Sequence, residues 1–179
     1  MGLVFIAAFT ISSGSTVSDM HPPPLAGLSV AENVRDPVLS TFSAIYFQAS
    51  TQNVQSQTHI PSHSQGICTI TPTGAIQNFY NDLSPDSTAQ QWASQISPTA
   101  INVLNTPVTA SAHETPAFTG RMSYIHCTKD NAIDLSLQKR MVAKAGIEKV
   151  ATLETDHCPF LTMPVKTAEF VMEHISSFE

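Results

Sequence analysis

The last third of the chain admits few folds. "RMSYIHC" (121–127) is strand-like, with Tyr124 and Ile125 as good β-formers. "DLSLQKRMVAKAG" (134–146) has the spacing of a helix: Leu137, Met141 and Ala145 recur every fourth residue, and Gly146 sits where a helix ends. "IEKVATLE" (147–154) is the next strand. "VKTAEFVMEHISSF" (165–178) is the next helix, with Ala168, Val171 and Ile175 on one stripe. Strand, helix, strand, helix in that order implies an α/β fold with a parallel sheet.

The rest of the chain divides by composition. Residues 1–11 carry an apolar run from Leu3 to Phe9, closed by the turn-forming "SSGS". The run is too short to span a bilayer. No basic residue precedes Arg35, so a buried core strand suits it better than a secretion signal. Residues 12–118 are rich in Pro, Ser and Thr, and 119–179 form the alternating segment. Within 12–118 a strand is expected near Val38–Phe42, and helices over 75–84, over "SPDSTAQQWASQIS", and over "SPTAINVLNTP" (97–107). In the second of these helices Ala89, Trp92, Ala93 and Ile96 share a face, which makes Trp92 a core residue of a mainly helical subdomain.

Only 12% of residues are charged and the net charge is −6, which speaks against nucleic acid as a partner. Cys68, Cys127 and Cys158 are an odd set without regular spacing. They form neither a disulfide framework nor a zinc motif, and reduced thiols imply a cytoplasmic setting. His59 and His63 have metal-ligand spacing only if helical; Pro61 between them makes a loop, so no metal and no cofactor is expected. No membrane segment is expected.

In a parallel sheet, reactive groups collect beyond the carboxyl ends of the strands. Asp130 follows the strand at 121–127 by three residues, and His157 follows 147–153 by four. Side-by-side loops there would place a carboxylate beside an imidazole, the supporting half of a Ser-His-Asp triad. Loop aspartates also commonly form turns, and lone histidines are commonly surface or core residues, so spacing leaves both readings open.

"CTKDNAIDLSLQKRMVAKAG" followed by "LETDHCPFLTMP" resembles the C-terminal half of the α/β-hydrolase superfamily. The similar branch is the one holding plant methyl esterases, hydroxynitrile lyases and their bacterial and fungal relatives. Its acid lies in a C-T-x-D-x-A-I segment and its histidine in an x-D-H-x-P-F-L-x-x-P segment, which map here onto Asp130 and His157, 27 residues apart. "LVFIAAFTISSGSTVSD" resembles the sixth strand of that fold and the loop into its cap. "FYNDLSPDSTAQQWASQISPTAINVLNTPVT" resembles the cap's helical segment. The resemblance implies a partial α/β-hydrolase fold, its last three parallel strands with a large cap insertion. It also implies ester or thioester hydrolysis of a small or medium hydrophobic substrate, with a place in secondary metabolism, and lyase chemistry as another use of the fold.

The departure is the nucleophile. That family carries it on a G-x-S-x-G elbow ahead of the sixth strand, and this sequence has no G-x-S-x-G. Ser12, Ser13 and Ser15 follow the first strand but lack the elbow's turn. Cys158 neighbours His157 and is expected to be a small residue before Pro159, while His126 is expected to be packing. The chain therefore reads as a fragment bearing acid and base without their serine. The alternative is a non-catalytic remnant, or a half-enzyme that binds a partner. In either case the first strand offers an apolar edge prone to self-association.

Overall fold

The computed structural model describes residues 2–20, 28–32, 66–100 and 106–177. The strand expected near 38–42 and the His59–His63 pair lie outside them. Two sheets are present. The first is parallel, in the order β1 (Leu3–Ile6), β5 (Met122–Cys127), β6 (Lys149–Leu153). The second is antiparallel, in the order β2 (Leu28–Glu32), β3 (Gly66–Ile70), β4 (Thr99–Ala100).

Between β3 and β4 run α1 (Pro72–Phe79) and α2 (Asp86–Ala93). After β5 come α3 (Leu135–Lys144), the short α4 (Pro159–Thr162) and α5 (Pro164–Ser176). No helix among the described residues is long and apolar enough to cross a membrane.

The parallel sheet is sandwiched. On one face Met122 and Tyr124 pack with Val142 and Ile147, joined by Leu3 and Phe5. On the other, Ile125, Ala151 and Leu153 pack with Val4, Ile6, Met163, Phe170 and Val171. Successive residues of one strand thus serve opposite layers, which is why "LVFI" and "MSYIHC" are apolar without alternating. α3 starts at Asp134, whose carboxylate caps the Leu137 N–H at 3.0 Å. It ends in a Schellman turn: the Ile147 N–H reaches the Val142 carbonyl and the Gly146 N–H reaches that of Ala143, with Gly146 at φ 65°.

Three expectations need correction. Thr99–Ala100 pairs with β3 as a strand, so the helix expected over 97–107 is not there at its start, and the described part of the segment between β1 and β5 holds a sheet as well as helices. Trp92 is 41% exposed, not core; α2 packs through the small side chains of Ala89 and Ala93, and the indole is turned off that narrow face. On α5, Thr167 is buried, and Phe170 and Val171 pack on the sheet, while Ala168 and Ile175 face outward. The bulk of Phe170 rotates the contact stripe away from the one expected. This leaves an outer apolar row, with Val165 at 70% and Met172 at 62% exposed.

The exit from β1 is held by one side chain. Tyr124, fully buried, donates its hydroxyl to the Ala8 carbonyl at 2.8 Å and accepts from the Ala8 N–H at 3.0 Å. Burial pushes its phenol well above the ordinary range. The bracket fixes a turn in which Ala7 takes φ 42°, a left-handed conformation unfavourable for a residue with a Cβ. Tyr124→Phe should therefore cost ~1–3 kcal/mol in urea unfolding, because two backbone groups lose their partner. Ala7→Gly trades ~1–2 kcal/mol of left-handed strain for ~0.5–1 kcal/mol of backbone entropy, so it should leave stability unchanged or raise it slightly.

His126 lies buried on β5, its ring 5.1 Å from that of Tyr124, and Nε2 has no hydrogen-bond partner among the described residues. Burial, then the Lys139 charge, lowers its pKa below the ordinary histidine value. The unfolded chain then binds a proton near pH 6.5 that the folded chain refuses. Stability should fall as pH drops below about 6.5, and His126→Gln should flatten that slope in urea titrations at neutral and mildly acidic pH.

Candidate active site

Parallel pairing of β5 with β6 runs from Ser123↔Lys149 to Cys127↔Leu153 and does not stop at the strand ends. The Thr128 N–H donates to the Leu153 carbonyl and the Lys129 N–H to that of Thr155, both at 3.0 Å. The two exit loops are therefore held side by side, and each delivers one polar residue.

Asp130 is the first. Its side chain is fully buried. Oδ1 accepts from the N–H groups of Ala132 at 2.8 Å and Ile133 at 2.9 Å, which leaves Oδ2 facing the neighbouring loop. Gln138, on the first turns of α3 and itself fully buried, closes this loop from below. Its amide exchanges hydrogen bonds with both backbone groups of Cys127 at 3.0 Å, donates to the Ile133 carbonyl at 2.6 Å and approaches Asp130 Oδ2 at 3.4 Å.

His157 is the second. Nδ1 lies 2.9 Å from Asp130 Oδ2, and the side chain remains 25% exposed. An ionised carboxylate can only accept, so the neutral ring carries its proton on Nδ1 and its lone pair on Nε2. Nε2 has no hydrogen-bond partner among the described residues. The ring of Phe79, at the end of α1, stands 5.4 Å away at a tilt of 45°.

Asp156, next to the histidine, is fully buried. Oδ1 accepts from the Cys158 N–H at 3.0 Å and the Thr162 hydroxyl at 2.9 Å, which shapes the turn into α4. Oδ2 accepts from the Asp82 N–H at 3.1 Å. The turn after α1 touches the other loop as well. Asn81 donates to the Lys129 carbonyl at 3.0 Å, Asn131 donates to the Gln77 carbonyl at 2.8 Å, and the Lys129 ammonium pairs with Asp82 at 3.2 Å. None of these partners carries a motif of its own. Gln138 could have been suspected as a polar residue beside Leu137 on a helix face, and Asp156 by its place before the histidine.

Of the candidate substitute nucleophiles, Ser13 is engaged by a carboxylate and Cys158 is buried. Ser13 gives its hydroxyl to Glu114 at 2.6 Å. Cys158 is buried beside the histidine. Among the described residues no group of three His, Cys, Asp or Glu is placed to hold a metal ion.

No protein-family model and no curated protein sequence matches the chain. Solved structures do. A polyneuridine aldehyde esterase mutant superposes with a TM-score of 0.65 at 14% identity over 95% of this chain and 60% of its own. A methylesterase from Arabidopsis gives 0.61 at 15% over 97% and 58%. Tomato methylketone synthase I, complexed with 2-tridecanone, gives 0.61 at 13% over 98% and 61%. The chain spans about three-fifths of the length of these structures. At such identities the likeness speaks for the fold, and with the parallel sheet and its flanking helices it identifies the chain as a partial α/β-hydrolase fold.

Proposed function

We propose that this chain supplies the general base and the orienting acid of a serine-type hydrolase acting on a small or medium hydrophobic ester or thioester. The observation that supports it is the 2.9 Å pair of a fully buried Asp130 and a partly exposed His157 at the carboxyl end of a parallel sheet. In this reading His157 Nε2 takes the proton of a serine hydroxyl as it attacks the acyl carbon, and later returns it to the leaving alcohol or thiol. Asp130 holds the ring in the productive tautomer and stabilises the imidazolium. The serine belongs to sequence outside these 179 residues, because no G-x-S-x-G occurs within them. The neighbours that are esterases support the reaction class. The free cysteines support a cytoplasmic setting.

The test is complementation. The 179-residue chain alone should not turn over p-nitrophenyl acetate. Joined to, or co-expressed with, an upstream segment bearing G-x-S-x-G, it should, and His157→Ala or Asp130→Asn should then lower kcat by roughly 10⁴-fold. Activity within tenfold of the parent in either variant would refute the reading.

A thiol cannot stand in for the serine. Burial first, then the neighbouring Asp156 and Asp130 charges, pushes the Cys158 thiol up to about 12. Cys127 is likewise pushed up to about 12, burial again the main cause. With all three thiols buried, Ellman's reagent should label the native chain slowly and the denatured chain completely. A fast thiol, silenced by His157→Ala, would reveal a thiolate–imidazole pair and reverse this conclusion.

A second reading is a remnant or half-enzyme that works through contact with another chain. It is favoured by the position of β1 at an edge of its sheet among the described residues and by the exposed apolar Val165–Met172–Ile175 row of α5. The isolated chain should then self-associate with rising concentration in sedimentation. A monodisperse monomer that melts cooperatively would count against it.

A further inference from the structure

We propose that Asp156 is a positioning residue that ties the orientation of His157 to the seat of the α1–α2 turn. The proposal rests on the reading of Asp130 and His157 as acid and base. Its grounds are geometric. The two oxygens of this buried carboxylate do different work. Oδ1 stays within its own loop, on the Cys158 N–H and the Thr162 hydroxyl. Oδ2 reaches 74 residues back along the chain to the Asp82 N–H. Three residues before Asp82, Phe79 stands against the imidazole. One residue before it, Asn81 binds the acid loop at the Lys129 carbonyl.

The turn at 77–82 therefore grips both loops: the acid loop through Gln77, Asn81 and Asp82, the base loop through the hydrogen bond of Asp82 and the ring of Phe79. An imidazole held by one hydrogen bond at Nδ1 can still rotate about that bond. The Phe79 ring limits this rotation, and Phe79 stays in place only while its turn does. A segment that lies between the strands of the antiparallel sheet is thereby a fixed wall of the site rather than a free lid.

Asp156→Asn separates the two jobs. One oxygen is kept for Cys158 and Thr162, while the amide NH₂ now meets the Asp82 N–H, donor against donor. In the isotopically labelled 179-residue chain, the Asp82 amide should exchange with solvent at least about tenfold faster. The nuclear Overhauser contact between Phe79 and His157 should vanish, and the His157 Nδ1–H resonance should be lost to exchange. Should Asp156→Asn fail to fold, the surface double variant Asn81→Ala/Asn131→Ala loosens the same turn with Asp156 intact, and the same signals should weaken. A faster Asp82 amide with an unchanged Phe79 contact and Nδ1–H resonance would overturn the proposal. So would an Asp82 amide as protected as in the parent in both variants. The underlying pair is tested separately: a parent chain with no Nδ1–H resonance removable by Asp130→Asn would sink the acid–base reading itself, and the proposal with it.

Discussion

The site depends on the continuation of one hydrogen-bond ladder past the ends of two strands. Parallel pairing of β5 on β6 could bring their exit loops near each other and still leave them to diverge. The Thr128 and Lys129 N–H groups prevent that by pairing with Leu153 and Thr155. Because the ladder sets the relative height of the loops, a residue three past one strand meets a residue four past the other. Side-chain chemistry then has little left to search: Asp130 and His157 need one rotamer each to close at 2.9 Å.

Two buried carboxylates beside that ladder would be a serious cost if they were bare, several kcal/mol each. Neither is. Asp130 and Asp156 each accept hydrogen bonds at both oxygens, and half of the donors are backbone N–H groups that the turns themselves would otherwise leave open. The polar network is thus the means by which two irregular loops satisfy their own backbone in a dry setting. The same charges, added to the larger effect of burial, keep Cys127 and Cys158 as thiols.

Much of this was legible in the residues. Strand–helix alternation over 121–178 and the Gly146 stop correspond to observed elements, because local propensity and burial agree there. Spacing past two strands left the meeting of Asp130 and His157 open, and the resemblance of their two segments to the α/β-hydrolase pattern singled it out. What stayed hidden was long-range. Thr99–Ala100 has no strand character until β3 offers a partner, and a helix reading was the natural local one. Trp92 is apolar enough for any core, but the face of α2 that packs is chosen by how close two helices can come, and alanines allow the closer approach. Phe170 outweighs Ala168 on α5 for the opposite reason, since a sheet face has room for a ring. Asp156 gave no sign that its partner lies 74 residues away.

The network around the dyad closes on itself within the described residues: the turn after α1, the two exit loops, and the first turns of α3 and α4. No member of it comes from β1, an edge of its sheet among the described residues, or from the exposed outer row of α5. The geometry of acid and base is therefore separable from whatever covers those surfaces. Under the proposed function, a complementing segment would have to build its own elbow and oxyanion donors, and then bring one hydroxyl within hydrogen-bond reach of Nε2. It would not have to assemble the pair. That division follows from where the hydrogen bonds run. The exposed row of α5 is apolar and the β1 edge offers backbone groups to a further strand, both suited to docking, whereas the dyad is held by bonds that are already made.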